Sequence, residues 1–250
     1  MIRLFSVLLA TLLFAGAVQA QTPLRMIANT SPPYADAQLP EQGLALEIVR
    51  EVFDGTGFAP DISIESWSRA IEGAQLGVYD ALASVWYSDE RAKDLLFSEP
   101  YLSSELIILK HRDNPRSYNQ LADLSGARLG VRRDYAYGVD FAAVHDLTLV
   151  KENHLIQNLL NLLNGTVDAV IGDRRTVTLQ VHEYLRDKIT HFDVVAIELP
   201  PVARHVAVSR AVADHEGIVK AFNASLAKAQ KDGSIDAIVK KWDERYTQID

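Results

Sequence analysis

Two stretches of this chain share one plan. GVYDALASV, residues 77–85, and GTVDAVIGD, residues 165–173, each open on glycine, place Asp-Ala fourth and fifth, and run on into apolar residues. Ahead of each lies a helix-like segment, WSRAIEGAQL and NHLIQNLLNLLN, so both read as the helix–glycine–strand step of an α/β unit. Repeated steps of this kind build a largely parallel sheet with helical crossovers on its faces. One step in each half predicts two similar lobes in succession. Ligands of open α/β sheets bind beyond the carboxyl ends of strands, near the point where strand order reverses. Two lobes aiming such ends at one gap make a clamshell.

The alternation continues on either side. PLRMIANT predicts a first strand ending at SPPY, where two prolines fix the backbone. GLALEIVREVFDGTG places Leu44, Ile48, Val49, Val52 and Phe53 on one helical stripe, with Gly55 and Gly57 available to end it. APDISIES and Arg128–Val131 predict strands, RRTVTLQVHEYLRD a helix, and FDVVAIELPPVARHVAVS two extended pieces around Pro200–Pro201. From Asp214 to Tyr246 the pattern is helical, with a break at KDGS.

The first twenty residues stand outside this pattern. Arg3 supplies a positive start, LFSVLLATLLFAGAV an apolar centre too short for a comfortable membrane span, and VQA the small residues before Gln21. This is a secretory signal peptide cleaved after Ala20, which places the mature protein free in a bacterial periplasm. The chain has no cysteine, so lipid attachment at the cleavage site, disulfides and thiolate metal sites are excluded. A chain of 250 residues can instead rely on a sizeable core. Its net charge of −8 disfavours nucleic acid and anionic lipid as partners. The seven histidines are scattered without the close helical spacing of a metal site, and no phosphate loop, dinucleotide fingerprint or nucleophile elbow is present. The expectation is therefore no cofactor, no metal and no catalytic residue.

SDERAKDLLFSEPY resembles the Thr-x-x-Arg…Phe-Ser-Asp-Pro-Tyr signature of bacterial extracellular solute-binding proteins of family 3, the polar amino acid class. SPPY, GLALEIVREV, ADLSGARLGV, GTVDAVIGD and KDGSIDAIVKKW correspond in the same order, so the resemblance covers nearly the whole mature chain. It implies the type II periplasmic-binding-protein clamshell, each lobe a mixed, mostly parallel sheet flanked by helices. Lobe 1 would be residues 23–104 plus 206–250 and lobe 2 residues 105–205, with hinge strands near Ser103–Ile107 and Val202–Val206. Such proteins close on a solute by hinge motion and present it to an inner-membrane ABC permease. A monomer is expected.

The resemblance also nominates residues. Arg91 would hold a carboxylate, for which its planar fork of donors is suited; otherwise it is a solvated arginine behind Asp89 and Glu90, in a turn that Ser88 caps. Asp173 would receive the solute's ammonium, or serve only as N-cap of the helix that begins at Arg174. Ser84 would offer a carbonyl or hydroxyl to that ammonium. Trp86 would stack on the ligand or pack under the hinge, and Tyr34 and Trp67 would be aromatic walls. The departure is GVRRDYAYG, where Asp134, Tyr135 and Ala136 replace the family's Gly-Thr/Ser-Thr carboxylate cradle, leaving Tyr135 as a phenol donor. Two other readings stay open. A few relatives on this fold are periplasmic dehydratases of cyclohexadienyl precursors, for which Glu99 or Asp134 would be the acid; a sensing module without a permease is the third.

Overall fold

PLRMIAN is apolar on both faces, and it forms the inner strand of the first sheet in the computed structural model, which describes residues 21–245. The leader reading, residues 1–20, and the end of the tail, residues 246–250, lie outside the described residues. β1 (Thr22–Asn29) pairs in parallel with β2 (Phe58–Glu65) and β3 (Ala81–Trp86), Met26 lying opposite both Ile62 and Ala81. β3 then pairs antiparallel with β11 (Val202–Ser209), which arrives from the far end of the chain. β11 also carries β4 (Leu95–Phe97) and β5 (Leu102–Ser104), giving the order β2-β1-β3-β11-β4 with β5 alongside β11.

The second sheet runs β10 (Phe192–Val194), β6 (Leu106–His111), β9 (Ala169–Asp173), β7 (Arg128–Arg132), β8 (Thr148–Glu152). β7 is parallel to β8 and β9, whereas β6 is antiparallel to β9 and β10. Both sheets are thus mixed, and the antiparallel members include the strands beside the crossings between lobes. β5 and β6 belong to different sheets yet are separated by Glu105 alone. The return passes Pro200–Pro201 into β11, where Val202 faces Ser104 and Arg204 faces Leu102. Two paired strands therefore join the lobes.

Helices cover the sheets where the apolar stripes predict. α1 (Leu44–Phe53), α6 (His215–Asp232) and α7 (Ser234–Asp243) share one core with Met26, Ala81 and Val206, centred on Phe53 and Phe222, whose rings lie 5.1 Å apart. Gly233 takes φ +83° between α6 and α7, the left-handed step with which a glycine ends a helix. α2 (Trp67–Gln75) packs Ala70 and Ala74 on the opposite face, against Ile27, Leu82 and Ala207. In the second lobe α4 (Leu155–Leu163) and α5 (Arg174–Tyr184) bury Leu155, Leu159, Val177 and Val181. The other face of that sheet is covered mainly by loop residues, Tyr118, Leu124 and Tyr137 among them, and by Trp86 reaching over from the first lobe. A single turn, α3 (Asp89–Ala92), follows β3. The sequence pattern missed β4, which is only three residues long, and β8, a half-exposed strand without a continuous apolar run.

The shared Gly-x-x-Asp has a structural job in each lobe. Asp80 accepts from the backbone N, Nε and Nη2 of Arg25 at 2.8, 3.2 and 2.6 Å, while Asp168 accepts from the same atoms of Arg128 at 2.8, 3.0 and 2.8 Å. The leading glycines complete the match, since Gly77 and Gly165 give their carbonyls to the same two arginines. Each aspartate so fixes the start of a strand against its parallel neighbour, with a bidentate ion pair as the fastener. Hydrogen bonding from Arg128 holds the Asp168 carboxyl below the ordinary carboxylate range despite partial burial. A lowered folded pKa stabilises above the unfolded value, about 3.9, and that contribution is lost as pH falls through the folded value. Asp168→Asn is therefore expected to lower the urea midpoint at pH 7, with the gap to wild type narrowing as pH drops below about 4. A gap independent of pH would show that the ion pair contributes nothing.

Candidate functional site

The end of β3 and the turn after it aim Arg91. Ser88 caps α3, its Oγ accepting from the Arg91 backbone N at 3.3 Å. The guanidinium donates through Nη1 to the Trp86 carbonyl at 2.6 Å and lies 4.6 Å above the Trp67 ring. Nη2 reaches across to the second lobe and donates to the Asp134 carbonyl at 2.8 Å. Two of its five N–H donors are thus on backbone carbonyls, which leaves a part of the fork for a ligand. Burial pushes the Arg91 pKa down, although a guanidinium starts so high that it stays charged.

Asp134 takes φ +59°, in the left-handed region where L-residues other than Asn and Asp are rare. It adopts the kind of backbone geometry that glycine favours, at the position where the resemblance leads one to expect glycine. After it, Tyr135 stands edge-on to Trp86 at 5.0 Å, and Arg132 lies 4.3 Å above its ring and donates to its hydroxyl. Trp86 also meets Tyr137 at 5.8 Å, so its indole is wedged between the lobes.

Tyr34 lies in the SPPY turn and is fully buried. Gly43, at φ +113°, makes room for it: a Cβ there would fall 2.5 Å from the Tyr34 carbonyl oxygen. Its hydroxyl donates across the lobes to both carboxylate oxygens of Asp173, each at 2.7 Å. Burial and then the charge of Asp173 raise the Tyr34 pKa far above the ordinary phenol range, so the hydroxyl keeps its proton. Asp173 also caps α5, accepting from the Thr176 backbone N at 3.0 Å and from Thr176 Oγ1 at 3.2 Å. Cap and cross-lobe acceptor thus coincide in one carboxylate, which is only 5% exposed.

One residue the sequence reading passed over stands in the middle. Arg204 of β11 is 5% exposed, directly opposite Trp86 on β3. It donates through Nε to Ser104 Oγ at 2.9 Å and through Nη1 to Ser84 Oγ at 3.1 Å. Its guanidinium lies 3.5 Å above the Tyr34 ring and 5.4 Å from that of Trp86. The signal was there to see: in VARHVAVS, residues 204, 206 and 208 alternate onto one face, and the first is charged.

Between the lobes is a narrow hollow of about 20 Å³ that opens to solvent, so the lobes must part to admit a solute. Trp67, Trp86 and Tyr135 give it aromatic walls, and Arg91, Arg204 and Ser84 supply polar ones. Asp134, Ala136, Val85 and Asn29 complete the lining. Tyr34 and Asp173 do not line it; they meet each other, with the Arg204 guanidinium on the Tyr34 ring. Glu99 is exposed and is not one of the walls. Outward from Trp67 and Tyr135 the cleft widens into a groove of about 480 Å³ between Glu65 and Ser68 on one side and Arg133 and His154 on the other. Among the described residues no group of acids and histidines is arranged to hold a metal, and no helix is long and apolar enough to cross a membrane.

The model of the bacterial extracellular solute-binding proteins, family 3, matches residues 24–245. The L-cystine-binding protein of Escherichia coli (strain K12) is 25% identical over 230 residues, 86% of this chain and 80% of that protein. The arginine-binding periplasmic protein of Mannheimia haemolytica is 24% identical over 247 residues, covering 94% of this chain and 97% of its own length. Among solved structures, an ancestral arginine-binding protein bound to arginine superposes with a TM-score of 0.74 at 21% identity, over 89% of this chain and 99% of that one. The fold is thus that of the type II periplasmic binding proteins.

Because the Tyr34 hydroxyl donates to Asp173 across the lobes, Tyr34→Phe should leave a buried carboxylate short of a partner. A loss of about 1–3 kcal/mol in urea unfolding is expected. A loss within error would mean that the two lobes do not share this bond in solution.

Proposed function

The chain belongs to family 3 of the bacterial extracellular solute-binding proteins, and on that premise we propose that it captures a small carboxylate-bearing solute, an amino acid or a relative of one, and hands it to an inner-membrane ABC permease. The observation that carries the reading is Arg91. A charged, half-buried guanidinium stands in the wall of the interlobe hollow, its plane set by the Trp67 ring and two backbone carbonyls. A carboxylate entering there can take paired N–H donors, and closure removes the competing water that would weaken the pair.

In this reading the aromatic walls hold the solute's apolar part, Trp67 from the first lobe and Tyr135 from the second, with Trp86 between them. Ser84 and Asp173 would serve an ammonium only after exchanging present partners, Arg204 for the serine and Tyr34 for the carboxylate. Lobe 1 would be residues 23–104 with 206–250 and lobe 2 residues 105–205, the lobes moving about the β5–β11 pair. The leader is removed after Ala20, the mature protein works in the periplasm as a monomer, and it performs no chemistry on what it binds.

Two measurements test this. In calorimetry, Arg91→Ala should weaken binding of a carboxylate solute by about 2–5 kcal/mol, while its melting temperature without ligand stays close to that of wild type. Unaltered affinity overturns the reading. Asp173→Asn should weaken ammonium-bearing solutes more than their analogues without the ammonium; equal losses would confine Asp173 to capping and to its bond with Tyr34.

A further inference from the structure

The hinge strand carries a charge that the binding reading does not use. Arg204 is almost fully buried, yet the partners of its guanidinium are two serine hydroxyls and two aromatic rings. Among the described residues no carboxylate lies within ion-pair distance of it. Asp173 does not fill that role, because its oxygens are held by Tyr34 and Thr176 at the start of α5. Burying a charge is costly unless a counter-charge and hydrogen bonds compensate it, and hydroxyl dipoles compensate only in part. Arg204 nevertheless lines the same hollow as Arg91.

We propose that Arg204 is a specificity-determining residue that receives a second anionic group, so that the solute is a small dicarboxylate and not a simple zwitterion. This rests on the reading of Arg91 as the anchor for the first carboxylate. The geometry favours it on three counts. The stack on Tyr34 and the bonds to Ser84 and Ser104 hold the guanidinium plane, so a ligand need not order it. Two guanidiniums face the hollow against one acid among its walls, Asp134, so the field inside is positive. An ammonium near Ser84 would also meet that positive charge at short range, since Ser84 Oγ is 3.1 Å from Arg204 Nη1. The aromatic walls then select a flat or apolar spacer between the two carboxylates.

The test is a calorimetric and thermal-shift comparison on the mature chain. Succinate, glutarate and phthalate are measured against butyrate, valerate, benzoate, L-glutamine and L-arginine. A dicarboxylate is expected to bind about 10- to 100-fold tighter than the monocarboxylate of matching skeleton. Arg204→Met should collapse that ratio towards one, and Arg204→Lys should restore part of it. The wild-type ratio stands even if the Met variant does not fold. Equal binding of the paired acids, tighter binding of L-glutamine or L-arginine than of every dicarboxylate, or no dicarboxylate binding at all overturns the proposal. The two readings fail separately. If Arg91→Ala removes binding of amino acids but the dicarboxylate ratio is one, only Arg204 is misread. If the ratio depends on Arg204 while Arg91→Ala has no effect, the anchor is misread instead.

Discussion

One guanidinium at the hinge ties the lobes' contacts together. Arg204 stands on the strand that completes the first sheet, opposite Trp86 on one side and Leu102 on the other. It rests on the Tyr34 ring, whose hydroxyl reaches the second lobe through Asp173. A cation over an aromatic face is attracted by the ring quadrupole, more so where water is scarce. The chain cation–ring–hydroxyl–carboxylate thus runs from the hinge strand into the cap of α5 without a direct ion pair. Were Arg204 bonded directly to Asp173, its charge would be spent there and not offered to the hollow.

Arg91 solves the complementary problem at the cleft's edge. Its own helix is a single turn, too short to impose direction, so the Trp67 ring and the carbonyls of Trp86 and Asp134 set its plane. The last of these contacts depends on the backbone of Asp134 turning left-handed. Aspartate tolerates that region better than most residues, so the loss of a glycine from the motif leaves the turn but adds a charged side chain to the wall. At the next two positions Tyr135 and Ala136 put an aromatic face and a methyl into the wall. The hollow therefore offers aromatic surface and two guanidiniums beside one acid, which is why the partners of Arg204 weigh in the choice of solute.

The duplicated Gly-x-x-Asp marks the architecture and not the cleft. In both lobes the aspartate fastens its strand to an arginine of the parallel neighbour, and the glycine carbonyl takes a further donor of that arginine. The functional divergence begins where the strands end, at Ser84 and Trp86 in one copy and at Asp173 in the other. A repeat read in sequence therefore counted lobes correctly while saying nothing about what each lobe holds.

By itself the sequence determined the alternation of helices and strands, the division into two lobes and the two extended pieces around Pro200–Pro201, because these follow from local periodicity and from where glycine and proline interrupt it. It also named Arg91, Trp67, Trp86, Ser84 and Tyr135, which the structure gathers around one hollow. It left out β4 and β8, one very short and the other half-exposed, and it did not say which strands run antiparallel, since β11 reaches β3 and β4 from the far end of the chain. Only the tertiary structure decided which charges meet. Tyr34 and Asp173 are 139 positions apart, and Arg204 and Ser84 120, so no spacing could announce either pair. Charge complementarity acts through space at a few ångströms, and sequence records neighbours along the chain.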